Sequence, residues 1–212
     1  MMFALVNKSD NSITKFFNGN KGITVDGIKH SQAIFTLWSE AERNAINIYT
    51  VEIDESKRKN PRWYINTSMT YSFDGSKAKG SYGDATALAH ADTLWTSQDK
   101  TDDKIPDGQD VGDVAIEGLK TKLIRQLKSD VKNELAKTDW YITRKAEKDT
   151  AIPSSISTHR DAVRTKQASM ETSITNASDT PALETLYTYV NTADEGEKPV
   201  FERPIGELPY LE

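Results

Sequence analysis

Apolar residues recur every three or four positions at Ile116, Leu119, Leu123, Leu127, Val131 and Leu135. Side chains at that spacing line one face of an α-helix, so the stretch predicts an amphipathic helix of about 20 residues with a stripe to bury. Lys120, Lys122, Arg125, Lys128 and Lys132 fall mostly outside the stripe and form its wet side. The helix ends near Lys137. Thr138 or Asp139 can then accept an amide proton and start a second helix, which carries Trp140, Arg144 and Glu147. Pro153 disfavours a helical Ile152, so that helix stops before it. A third begins near Ser155 or Ser157, with Ile156, His159, Val163, Lys166 or Gln167, Met170 and Ile174 facing inward. Asp179 or Thr180 caps a fourth, Pro181 fits its first turn, and Leu183, Leu186, Tyr187 and Val190 give it a buried face.

The chain before this bundle has a different period. Phe3–Val6 reads as a strand, Asn18–Gly22 as a turn, and Asp26-Gly27 as a tight turn between Val25 and Ile28. Ser39 and Glu42 have the spacing of a capping box, which places a short helix over Ala41–Asn44. The run 46–53 alternates apolar and polar residues and predicts the clearest strand, joined by Trp63–Ile65 and Met69–Phe73. Shielding of their exposed edges by another chain and a small monomeric sheet account for them equally well. Glycines 75, 80, 83, 108 and 112 interrupt the next stretch, 74–112, and 102–108 reads as a turn-rich loop. A short helix is expected over Ala85–Leu94, anchored by Leu88 and Trp95. Beyond Asn191 the helical period is lost. Pro199, Pro204 and Pro209 favour an extended arm, with Val200, Phe201, Ile205, Leu208 and Tyr210 as its anchors.

The expected fold class is therefore α+β: a small, mainly antiparallel N-terminal sheet, then a C-terminal helical hairpin or bundle, then an extended C-terminal arm. The expected divisions are 1–73 β-rich, 74–112 glycine-rich linker, 113–190 helical and 191–212 arm.

The 212 residues include no cysteine, which excludes disulfides, thiolate catalysis and cysteine-ligated metals. The three histidines, His30, His90 and His159, are too far apart for a metal motif. No phosphate-binding loop, dinucleotide fingerprint or G-x-S-x-G elbow occurs, and Glu40/Glu42 and Asp102/Asp103 read as caps and loop residues. The expectation is no enzyme, no catalytic residue, no metal and no cofactor. A formal charge of −5 argues against a nucleic-acid partner. The basic run Lys57–Lys59 with Arg62 reads as a solvated turn. No segment reaches the roughly 20 apolar residues of a membrane span, and the opening MMFALVNK does not read as a secretion leader.

Within the bundle, Trp140 is expected to fill the junction between the long helix and its neighbour. Arg144 lies across its indole or pairs with Asp161. Glu147 meets Arg160 or Arg164, and His159 packs or caps beside Arg160 and Asp161. Trp140 and Tyr141 are adjacent on a helix, about 100 degrees apart, which argues against a stacking platform.

Thr138-Asp139-Trp140, Arg144, Glu147, Ile152-Pro153 and His159-Arg160-Asp161-Ala162-Val163-Arg164 together resemble the C-terminal signature of bacteriophage tail-fibre assembly proteins and related virion tail proteins. That family tends to have TDW, an arginine, a proline and then a YR-x-A-L/V-R element. Here His159 stands where the tyrosine falls, and Val163 is the aliphatic member. Trp38–Arg43 with Ile48–Val51 resembles the amino-terminal part of the group. Gly112–Val114 and Gly118–Lys120 resemble a connecting segment of marine tailed-phage relatives. The resemblance implies a structural component of a phage tail, baseplate or fibre-attachment region, located in the virion tail. The alternative it implies is a transient fibre-assembly chaperone in the host cytoplasm. Partners would be tail, baseplate or fibre proteins, or a second copy of this chain. Trp63, Trp140, Phe201 and Tyr210 are the expected interface anchors, with Trp63 on a sheet surface and Phe201 and Tyr210 docking the arm.

Overall fold

The computed structural model describes residues 1–211 and has the α+β class expected: an N-terminal mixed, mainly antiparallel sheet, then a helical bundle and an extended arm. The chain divides into two units, Met1–Thr86 and Ala87–Glu212. The division thus differs from the expected boundaries at 73 and 112, because the glycine-rich stretch is not an independent linker. Its first part supplies a strand to the sheet, and its second part belongs with the helices.

The first unit contains β1 (Phe3–Asn7), β2 (Ser12–Phe17), β3 (Ile23–Val25), β4 (Ile28–His30), α1 (Glu40–Ala45), β5 (Ile48–Asp54), β6 (Tyr64–Ile65), β7 (Thr70–Phe73) and β8 (Ala78–Ser81). The division falls within β9 (Thr86–Ala87). Five strands form one sheet in the order β2-β1-β5-β8-β7; only β5 and β8 run parallel. Successive side chains point to opposite faces, and here both faces are buried. Ala4, Val6, Tyr49, Val51, Phe73 and Ala78 pack on one. Phe3 and Ile48 pack on the other, under Val25, Ile34 and Phe35. Gly80 lies where a Cβ would come within 2.9 Å of Met69, Tyr71 and Ile53. The edge strands are brought together by curvature: the Phe16 ring of β2 lies 4.6 Å from the Tyr71 ring of β7. The two edge strands thus bring an aromatic ring from each into contact.

Local chemistry explains the remaining elements. Ser39 and Glu42 form the capping box that opens α1. Asp26 and Gly27 both adopt positive φ in the two-residue turn between β3 and β4, as that hairpin type demands. Asn47 is left-handed, so β5 starts at Ile48 rather than Ile46. Trp63 precedes β6 and is 2 % exposed, a core residue rather than the sheet-surface anchor expected.

The second unit contains β10 (Thr93–Leu94), α2 (Ser97–Thr101), β11 (Val114–Ile116), α3 (Leu119–Ala136), α4 (Asp139–Lys148), α5 (Ser154–Asn176), α6 (Thr180–Tyr187), β12 (Val190–Asn191) and β13 (Phe201–Glu202). The helix expected over Ala85–Leu94 is absent. In its place residues 88–92 form a strap. Ala89 and His90 carbonyls accept from the amides of Leu119 and Lys120, and Asp92 accepts from the Gly118 amide and the Thr121 hydroxyl at 2.6 and 2.8 Å. The strap thereby satisfies the orphan donors at the start of α3, which Gly118 has no side chain to cap. A Cβ on Gly118 would sit 2.3 Å from the Ala91 carbonyl, so the approach requires glycine. Gly118 also separates Ile116 from the helix; that residue is 65 % exposed in β11.

α3 and α5 form an antiparallel hairpin, with Lys120 near Thr175 at one end and Glu134 near His159 at the other. Leu119, Leu123, Leu127 and Val131 meet Ile156, Val163, Met170 and Ile174 in its core. Leu183 of α6 is fully buried; Asp179 caps this helix through the Ala182 amide. Val190, expected on the buried face of α6, lies instead in the exposed β12/β13 hairpin because the backbone turns extended at Thr188. The arm docks through Ile205, which is buried and donates its amide to the Leu186 carbonyl.

Replacing Asp92 with Ala should lower the unfolding free energy by about 1 kcal/mol, as loss of a helix cap does. Gly118→Ala should cost more, because the strap carbonyl must move. Urea denaturation with near-ultraviolet detection measures both.

Candidate functional site

The C-terminal end of α3 exposes carbonyls that no amide of its own helix can reach. Three residues later α4 begins, and the two helix ends are fastened by one side chain from α5. Arg160 is 8 % exposed, and its Nη1 lies 2.8 Å from the Leu135 carbonyl, 2.7 Å from the Thr138 hydroxyl and 2.8 Å from Asp139 Oδ1. Thr138 is wholly buried; its hydroxyl donates to the Leu135 carbonyl while accepting from Arg160. A cation here complements the negative end of α3, and Asp139 places a carboxylate in the first turn of α4. The Arg160 Nε, by contrast, is buried without a partner among the described residues.

A second cluster lies one turn earlier on α3. Glu134 is 8 % exposed, and its carboxylate receives His159 Nε2 at 3.1 Å, Lys137 Nζ at 2.5 Å and the Leu211 amide at 3.2 Å. The Lys137 hydrogen bond, with smaller help from Leu211 and His159, holds the Glu134 carboxyl below the usual carboxylate range despite burial. His159 therefore packs on the inward side of α5, as expected, with Glu134 as its polar partner. It lies one position away from Arg160, and the hairpin turns it toward α3.

Around these buried polar groups α4 has no buried residue. Trp140 is 51 % exposed, which overturns its expected place in the helical junction; Thr138 and Arg160 fill that space instead. The Trp140 and Tyr141 rings lie 3.8 Å apart, centre to centre, at 34°. Helical rotation separates their Cα–Cβ bonds, but the side-chain torsions fold the rings together, so rotation alone does not keep them apart. The Arg144 guanidinium lies 4.7 Å from the indole and 5.4 Å from the phenol ring, the cation–π arrangement that was one of its two expected placements. Ile142, 42 % exposed, adds to the apolar surface of this helix.

The other expected contacts are rearranged. Asp161 pairs with Arg164 at 3.3 Å, not with Arg144. Glu147 is exposed and meets neither Arg160, which is engaged by Asp139, nor Arg164. Phe201 and Tyr210 are 62 % and 73 % exposed, so the arm docks through Ile205 while these two rings face outward. Glu134 is the residue that sequence reasoning missed. Its position on the α3 stripe, three residues after Val131, is the only signal that marked it for burial.

Among the described residues no group of three or more His, Asp or Glu is placed to hold a metal ion, and no helix is long and apolar enough to cross a membrane. Comparison with protein-family models, curated proteins and solved structures returns no match.

Arg160→Ala should cost about 3 kcal/mol, since three hydrogen bonds from a charged donor, to Leu135, Thr138 and Asp139, are lost; equilibrium urea unfolding checks it. The depressed Glu134 pKa makes a second prediction. The unfolded chain takes up this proton first, so the contribution of Glu134 is present above the ordinary carboxylate range, about 4.3, and is lost as pH falls through the lower folded value. Glu134→Gln should flatten that part of the stability–pH curve. An unchanged slope would show that Glu134 does not carry it.

Proposed function

We propose that this chain is a structural component of a bacteriophage tail, baseplate or fibre-attachment region, and that it works by binding neighbouring subunits. The observation that carries the reading is α4 itself. It offers Trp140 and Ile142 to the outside, backed by the half-buried Tyr141 and Arg144, while its start is held in place by Arg160. Aromatic rings and arginine are the side chains from which protein interfaces draw most of their energy, and a fixed helix loses little entropy when a partner covers it. The residues that carry the tail-protein resemblance support the same reading. Thr138, Asp139 and Arg160 build the fastening, while Trp140 and Arg144 lie on the surface it presents.

Trp140→Ala should leave the folded chain within about 1 kcal/mol of the parent, as substitutions at exposed positions do. Together with Arg144→Ala it should weaken attachment to the neighbouring tail protein by about 2 kcal/mol or more, roughly thirtyfold. Mass spectrometry of purified particles should find the parent chain in fixed stoichiometry and the double variant depleted. If the parent is expressed in the infected cell but missing from particles, the structural reading falls and a transient fibre-assembly chaperone takes its place.

A further inference from the structure

The two units carry opposite charge. Met1–Thr86 has 11 basic against 9 acidic side chains, or +2, whereas Ala87–Glu212 has 16 against 23, or −7. Within the positive unit, a cleft of about 740 Å³ opens between β2, the Asn18–Gly22 turn and the β3/β4 hairpin. Lys15, Lys21, Lys29 and His30 line it, and no carboxylate does. Most exposed lysines elsewhere in this unit are matched by acids: Lys57 with Asp84, Lys77 with Glu52, Lys79 with Asp74. Lys15, Lys21 and Lys29 form no such ion pair among the described residues, and Lys15 instead lies 5.6 Å from the Phe17 ring centre. Phe17 and Ile23 give the cleft an apolar part, whereas the Phe16 ring turns to the other face of β2 and meets Tyr71.

Its turn wall is fitted closely into the fold. Gly19 has φ +70°, and a Cβ there would lie 2.9 Å from the Phe3 ring; a Cβ on Gly22 would lie 2.6 Å from the His30 carbonyl. The cleft is therefore shaped by the same packing that holds the sheet core. Its volume falls within the range of sites that enclose a small molecule.

We propose that this cleft binds an organic anion that presents a phosphoryl or sulfuryl group to the lysines and an apolar body to Phe17 and Ile23. Lysine ammoniums are compact point charges, and several can approach a tetrahedral oxyanion from different sides. A planar carboxylate, in contrast, is matched best by the fork of arginine, which the cleft lacks. The low count of competing acids leaves the full charge of the ligand as the partner of these cations. This goes beyond the tail reading and stands on a different unit from α4, so either can fail alone.

The test is an amide NMR titration of the full chain with phenyl phosphate, phenyl sulfate and inorganic phosphate at constant ionic strength. Saturable shifts confined to residues 15–30 are expected, with phenyl phosphate or phenyl sulfate binding at least about tenfold tighter than inorganic phosphate. The tighter of the two aryl anions identifies the head group. Lys21→Gln and Lys29→Gln should each weaken binding about fivefold with the melting temperature unchanged, and Phe17→Leu should reduce the advantage of the aryl anion. Non-saturating shifts matched by chloride, or unaltered affinity in the folded lysine variants, would overturn the proposal. So would a single-stranded oligonucleotide that binds tighter than either aryl anion and shifts residues well beyond the cleft, since that describes an extended polyanion surface.

Discussion

The helical unit depends on how the end of α3 is closed. A helix that stops in the interior leaves carbonyls that must find donors, and here the Leu135 carbonyl takes the Thr138 amide and hydroxyl together with the guanidinium of Arg160, delivered from the facing helix. That choice has consequences. It draws Thr138 fully into the interior and places Asp139 at the start of α4. It also sets the register of the α3/α5 hairpin at its polar end, since His159 beside it then meets Glu134. A well-packed apolar cluster could close the same space with similar stability, but it would not specify which turn of α5 faces which turn of α3.

Because the polar fastening occupies the junction, the large aromatic next to it has nowhere to go but out. Trp140 lies with Tyr141 under Arg144 on a helix that buries none of its own residues. Burial and exposure are thus coupled. The residues that fix α4, Thr138 and Asp139, are followed directly by those it offers to a partner. The extended arm obeys the same logic, with Ile205 buried as its anchor, the Leu211 amide tied to Glu134, and Phe201 and Tyr210 outward.

Several elements are legible in the chain alone. The α3 stripe, the Ser39/Glu42 capping box, the Asp26-Gly27 turn and the Asp179 cap all rest on interactions within a few residues, and all are present. The misreadings have a common cause. Residues 85–94 carry enough Ala and Leu to suggest a helix, yet their backbone is taken up by the start of α3, which lies far along the chain. Strand β8 is hidden in a glycine-rich stretch, because Gly80 serves a crowded sheet rather than a loop. Trp63 and Trp140 exchange their expected environments, since an indole is compatible with either and only its neighbours decide.

The sequence by itself determined the class of fold, the order of sheet, bundle and arm, and most helix boundaries, because periodicity and capping are local properties of the chain. Only the tertiary structure decided which polar groups are buried and which aromatic rings are exposed. Those outcomes turn on contacts such as Arg160 with Leu135 and Asp92 with Gly118, each joining residues more than twenty positions apart. The energy of such a bond depends on whether both partners are shut off from water, and chain folding alone establishes that.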